Sequence, residues 1–399
     1  VGQRRDGAQA ASRWTPALVA LVFLVALNLR PAVTSVGPVL PRMADELALS
    51  EPLQGLLGAL PLLAFAVGSP LVHRLTRRTG VDVALLLALL LLAAGLALRS
   101  FTGLPGLWIG TVIAGLAIAV GNVLVPVVVR RDYRSRVAVA TGFFTMFMTV
   151  AAATASGTAV PLADVWGWRG ALGFWAIPAL AVAAIWIVRM RIAPSPPSPL
   201  PKPGAMTVSV WRQPTAWFVT ALMGLQSTSF YILVTWLPTI EAAAGVRDDA
   251  AGVHLSVYQL VGTVSGLTIP LLMRRTGSLV TAAVTASAPM LVAALGLLLA
   301  PGLPVLWVIF AGLSSGASLV VALTLIGVRG RTHAETTQLS GMAQAVGYLL
   351  AACGPVAAGW LAQASGGWQA PLVMLAMIAA VQVVAAVLAG GDRPVSAAA

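Results

Sequence analysis

Long apolar runs separated by short polar stretches make up nearly the whole chain. Twelve of them reach spanning length, at about 15–40, 53–73, 82–99, 105–129, 137–161, 169–189, 214–240, 251–273, 279–300, 304–328, 338–362 and 369–389. A helix of roughly 20 apolar residues crosses a hydrocarbon core about 30 Å thick and satisfies its own backbone there. The pattern therefore predicts an all-α membrane protein with twelve transmembrane helices. The longest polar stretch falls between the sixth and seventh runs and contains APSPPSPLPKPG. It is Pro-rich and extended, with nothing to build a core from, and reads as a linker. The expected organisation is a tail at 1–13, a six-helix bundle at 14–191, a linker at 192–212, a second bundle at 213–390 and a tail at 391–399. The first run follows a basic tail with no small-residue cleavage site, so it is expected to be a retained helix and not a leader.

The two bundles repeat one another. Arg77, Arg78, Thr79 and Gly80 recur as Arg274, Arg275, Thr276 and Gly277; Leu40–Pro41 recurs as Leu237–Pro238; Ala114, Gly115 and Leu116 recur as Ala311, Gly312 and Leu313. All three words share an offset of 197 residues, which points to duplication of a six-helix unit and a pseudo-symmetric pair of bundles.

Composition agrees with the pattern: 59% of residues are hydrophobic and 9% charged, against about 25% charged in soluble domains. The net charge of +12 is distributed with the membrane and does not indicate nucleic acid. With both ends in the cytoplasm, nineteen Lys and Arg residues fall in cytoplasmic segments and four (Arg42, Arg99, Arg169 and Arg247) fall outside. That asymmetry is the positive-inside pattern. It predicts an inner-membrane protein with cytoplasmic termini, in which most basic residues are topogenic. A lone cysteine, Cys353, excludes an internal disulfide.

The remaining basic residue, Arg30, is the exception. No charge precedes it between Ala17 and Leu29, so it lies roughly 20 Å into the first span. A guanidinium at that depth is costly against lipid and is expected to face a wet cavity. Pro31 cannot donate to the carbonyl of Leu27, which predicts a break beside the charge. On a regular helix, residues two apart point in different directions, and the break is expected to turn Asn28 and Arg30 toward the same cavity. The structural alternative is that Arg30 pairs with carbonyls at the broken turn.

Two six-helix halves with a cytoplasmic linker and basic loops after the second and eighth helices resemble the major facilitator superfamily of secondary transporters. Within it, LNLRPAVTSVGPVLP (27–41), GNVLVPVVVRRDY (121–133) and GLQSTSFYILVTWLP (224–238) resemble the cyanate and nitroimidazole permease family. The resemblance spans the chain. It implies alternating access around a central site lined by the first and fourth helices of each half, with Arg77, Arg78, Arg274 and Arg275 in gating loops. The superfamily loop after the second helix usually carries an aspartate before its basic residues; here His73 and Thr76 stand in that stretch, so the loop supports no argument about coupling.

Helix 4 offers Asn122, whose carbonyl is freed by Pro126. Helix 7 offers Gln226, Ser227, Thr228, Ser229, Phe230 and Tyr231, and helix 11 offers Gln344 and Tyr348 on one face. Asn28, Arg30, Asn122, Gln226, Tyr231, Gln344 and Tyr348 are the expected substrate ligands, with Arg30 as anchor. Tyr258 or Gln259 is expected to reach the cavity, and Phe144 and Phe147 to form a ring wall. Each of these polar groups also reads as an interhelical contact, and each aromatic as packing. The twelve carboxylates all fall in loops or at helix ends. The absence of a buried acid disfavours a proton-driven exporter of cations, and His254 is expected to be a surface or packing residue.

Gly312-x-Ser-x-Gly316 matches a hydrolase word, but it lies within a helix with no strand before it and reads as a small-residue packing motif. No catalytic residue, cofactor or metal site is expected, and the chain is not read as an enzyme. The expected function is transport of a small polar or anionic solute, of the cyanate or nitro-heterocycle class, by a monomer in the lipid bilayer with a proton as candidate coupling ion. The alternatives are a proton-coupled multidrug efflux permease and a non-transporting membrane sensor.

Overall fold

The computed structural model describes residues 20–133, 137–192, 210–330 and 332–391. Of the expected tails and linker, residues 1–13, 193–209 and 392–399 lie outside the described residues. The first span is in three pieces: α1 (residues 20–28), α2 (Pro31–Thr34) and α3 (Val36–Leu47). Residues 29–30 form a turn, where Pro31 withholds the donor that would continue the helix. A second break at Ser35 bends the axis by 40°. Pro38 likewise cannot donate to the carbonyl of Thr34, which accepts instead from Ser156 Oγ at 3.2 Å.

The rest of the first half is α4 (Glu51–Thr79), α5 (Val81–Phe101), α6 (Gly103–Tyr133), α7 (Val137–Gly173) and α8 (Ala176–Ile192). Within α7, Gly167 has φ +67°, a left-handed conformation that glycine adopts without penalty. The fifth span ends there, and the sixth begins at Trp168 and continues into α8. After a 3-10 turn at Val210–Arg212 come α9 (Pro214–Ala243), α10 (Asp248–Thr276), α11 (Leu279–Leu299), α12 (Pro304–Arg329), α13 (His333–Ser365) and α14 (Gln369–Gly390). Ten described helices are long and apolar enough to cross a membrane, the broken first span is an eleventh, and α8 completes twelve. Both ends of α10 are displaced from those of α4 by the 197 residues that separate the repeated words.

In the first half α5 packs on α6 and α8; in the second, α10 and α11 pack on α12, and α9 packs on α13 and α14. The halves meet through α4 against α13, α7 against α10 and α3 against α9. Small residues allow the closest crossings. A Cβ on Gly316 would collide with the carbonyl of Gly262, so Gly312-x-Ser-x-Gly316 is a helix crossing between α12 and α10. Gly316→Ala is expected to destabilise the fold by about 1–3 kcal/mol through overpacking. Gly327→Ala on the same helix, where a Cβ meets nothing within 4 Å, should be neutral or slightly stabilising. Thermal unfolding of the two variants in detergent measures the difference.

Several arginines expected to be topogenic also hold helices together. At the arginine-rich end of the first half, Arg131 pairs with Asp82 at 2.8 Å and with Asp132 at 2.8 Å. Arg189 pairs with Asp132 and stacks over Trp186. Arg329 donates to the carbonyls of Ala389 and Gly390 at the end of α14. Arg99, expected in an external loop, is instead 2% exposed in the last turn of α5 and donates to the carbonyl of Ala32 at 2.6 Å. Counting charges along the chain shows which side they favour; it does not show which carbonyl of another helix stands beside them.

The expectation of no buried acid is also corrected. Glu241, in the last turn of α9, is 1% exposed, and its Oε2 lies 2.9 Å from Nδ1 of His254 on α10. His254, half-buried, is therefore paired with an acid. Its partner is thirteen positions away on another helix, a spacing that single-helix periodicity does not relate.

Candidate functional site

A cavity of about 280 Å³ lies between the halves. Arg30 enters it from the turn between α1 and α2. Gln226, Ser227, Phe230 and Tyr231 line it from α9, Gln259 from α10 and Tyr348 from α13. Arg30 is the one charged side chain among the described lining residues. No carboxylate comes within 4 Å of it among the described residues, and no described side-chain hydrogen bond uses its guanidinium. Its contact is the face of Phe230, 5.7 Å from ring centroid to guanidinium carbon. A cation over a ring is stabilised modestly and keeps its N–H donors.

Polar groups around Arg30 supply acceptors and a rigid floor. On α7, Thr141, Thr145 and Thr149 line the cavity at four-residue spacing. The hydroxyls of Thr145 and Thr149 donate one turn back, at 3.0 and 3.1 Å, so their lone pairs remain available as acceptors. Gln226 Nε2 donates to Ser227 Oγ at 2.7 Å. Gln259 Nε2 donates to Ser156 Oγ at 2.7 Å and to the Ala152 carbonyl at 3.2 Å, tying α10 to α7. Since Ser156 also reaches the Thr34 carbonyl, this network connects the second half to the broken first span.

Of the expected ligands, Arg30, Gln226, Tyr231 and Tyr348 come together at this cavity. Asn28, Asn122 and Gln344 are not among its lining residues. Asn28 remains the final residue of α1, and its Nδ2 donates to the Leu24 carbonyl at 2.9 Å; the break begins one residue too late to swing it toward Arg30. Asn122 sits on α6, which runs on unbroken through Pro126. Gln344 is exposed and bonded to Ser340 Oγ at 2.9 Å. Phe147 stacks on Phe23 and forms no cavity wall. Tyr258 is fully buried, whereas Gln259 reaches the cavity. The α7 threonines lie outside the expected ligand set, although Thr at i, i+4 and i+8 in an apolar helix is a polar stripe visible in the sequence. Arg78, Arg274 and Arg275 are exposed at the arginine-rich end.

Contacts that close the halves lie toward the opposite end. There a Cβ on Gly37 would collide with the Val234 carbonyl, and one on Gly55 with the Pro355 carbonyl. Ser256 Oγ donates to Ala153 O at 2.6 Å, and Arg42 stands 3.9 Å from Asp248. The cavity lining instead extends along the first third of α7, toward the arginine-rich end.

Comparison with known proteins gives a consistent result. The family description Major Facilitator Superfamily matches residues 18–334. The chain is 36% identical over 380 residues to a 2-nitroimidazole transporter of Escherichia coli strain K12, covering 95% of this chain and 96% of that one. It is 27% identical over 368 residues to a cyanate transport protein of the same organism, covering 88% and 91%. Among solved structures, it superposes with TM-score 0.78 and 16% identity on a bacterial homologue of the human lysosomal transporter Spinster, covering 94% of this chain and 97% of that one.

Proposed function

This chain belongs to the major facilitator superfamily, a multi-pass membrane solute transporter, and on that premise we propose that it carries a small polar or anionic solute by alternating access. The observation that carries this reading is Arg30: a cation inside the membrane region, facing a cavity, with no carboxylate near it among the described residues. A bound anion or nitro group would accept from the planar guanidinium in a bidentate pair and offset its desolvation. Phe230, Tyr231 and Tyr348 surround that position with rings, which suits a flat heterocycle stacked beside the charged pair. The nitroimidazole and cyanate transporters among its relatives support the same solute class, and the aromatic lining favours the nitro-heterocycle over a triatomic anion.

The arginine-rich end is assigned to the cytoplasm of a bacterial inner membrane by the positive-inside rule. With the opposite end sealed by Gly37, Gly55 and Arg42, the conformation is then inward-facing. A multidrug exporter remains the competing reading, since Glu241 removes the argument from a missing buried acid. Yet Glu241 does not line the cavity, and the one charge among the described lining residues is positive, which repels cationic drugs.

The test is uptake into proteoliposomes of labelled 2-nitroimidazole, cyanate and a lipophilic cation. Saturable nitroimidazole uptake, competed by cyanate and indifferent to the cation, is the expected outcome. Saturable transport of the cation alone would place the protein among the drug exporters.

A further inference from the structure

Glu241 and His254 form an ion-pair-forming couple at the sealed end, away from the cavity. Glu241 Oε2 lies 2.9 Å from His254 Nδ1, while Oε1 is buried with no hydrogen-bond partner among the described residues. The pair stands apart from the cavity: along α9, Glu241 is ten residues beyond Tyr231, about 15 Å of helix. Function as described above makes no use of it.

The elements packed against α9 offer few other charges. On α10, Arg247, Asp248 and Asp249 are exposed at the helix start, where Arg247 pairs with Asp249 at 2.8 Å. On α3, Arg42 pairs with Asp164 at 2.8 Å, Glu46 pairs with Arg169, and Asp45 is exposed. Glu51 begins α4. Arg329 on α12, and His333 and Glu335 on α13, lie at the arginine-rich end, and α14 carries no charged residue. Among the described residues, His254 is the one basic group within 4 Å of the Glu241 carboxylate.

An ionised Glu241 beside a neutral imidazole would be a buried net charge with one bare oxygen, which carries a large desolvation penalty. With one proton shared between the two side chains, the pair is neutral in either arrangement. Opened to water, the same groups hold no proton above about pH 6.5, the ordinary histidine range.

We propose that Glu241 and His254 form a proton-binding site that locks this end of the transporter shut, closure taking up one proton from the compartment on that side and opening returning it. The proton is not carried across. Acidification of that compartment favours the sealed state, the one described here. The inference rests on the alternating-access reading, because it requires that this end open.

The experiment uses the full chain in lipid nanodiscs with no substrate. Spin labels are placed by Val165→Cys and Ala244→Cys in a Cys353→Ser background, and pulsed dipolar spectroscopy reads the short and long distances across the gate. In the otherwise unaltered chain, the sealed-to-open ratio should fall about ten-fold per pH unit between pH 7 and 8.5, the slope of one linked proton. Glu241→Gln should flatten that dependence to less than about two-fold over the same range. His254→Asn should retain the dependence but move the half-sealed point more than about one pH unit lower, since the carboxyl must then hold the proton alone. A dependence that survives Glu241→Gln, or a half-sealed point that ignores His254→Asn, overturns the proton site while leaving alternating access intact. A single distance at every pH would overturn alternating access itself, and this inference with it.

Discussion

Arg30→Ala is expected to weaken the apparent affinity of solute uptake by about thirty-fold or more while leaving the protein as stable as before, or more so. The guanidinium faces the cavity with its N–H groups unused by the described protein and a ring at 5.7 Å. Removing it takes away the charge partner of a bound anion or nitro group. Truncating one partner of a desolvated charge pair typically costs about 2 kcal/mol or more, roughly thirty-fold in apparent affinity. Arg30→Lys retains the charge but not the planar fork, and an intermediate loss of about ten-fold is expected. Stability should respond differently, because no carboxylate or carbonyl among the described residues is left without its partner. Proteoliposome uptake kinetics together with thermal unfolding in detergent measure both effects. Undiminished uptake in the alanine variant would assign Arg30 a structural role and move attention to Gln226 and the α7 threonines.

The opposite behaviour is expected of Asp132→Asn, which should lower stability by about 3–5 kcal/mol. Asp132 is shared between Arg131 and Arg189, and the Arg189 side chain is only 6% exposed. Arg131 retains a bidentate partner in Asp82, but Arg189 would be left as a buried cation over the Trp186 face with no carboxylate within 4 Å among the described residues. The penalty is therefore mainly that of stranding Arg189. Asp132→Asn combined with Arg189→Met should recover most of the loss, because it removes the stranded charge and conserves apolar volume. Thermal unfolding of the single and double variants reads the coupling. Equal destabilisation in both would mean that Asp132 acts through something other than its charge on Arg189.

The two arginines show how far the sequence was legible. Depth in an apolar run and the following proline were enough to anticipate an interior cation at a broken turn. Arg99 gave no such signal, since its place near the end of an apolar run looks like an ordinary flanking charge. Its burial depends on the Ala32 carbonyl, 67 positions away and exposed only by the breaks in the first span. Asn28 stays off the cavity for a related reason: a proline breaks the helix but does not set the residue at which the chain turns. Gln259 and Tyr258, adjacent in sequence, separate into a cavity residue and a buried core residue because α10 presents one face to α7 and another to α9.

What the sequence by itself determined is the count and length of the spans, the division into repeated halves, the break at Arg30–Pro31 and the absence of other charge in that run. These follow from hydropathy, backbone donors and internal similarity, all of which act along one chain segment at a time. Which cation stays free, which polar groups meet it, and that Glu241 is buried against His254 were decided by the tertiary structure alone. Helix rotation and the carbonyls opened by kinks set those relations, and both arise only when helices pack against one another.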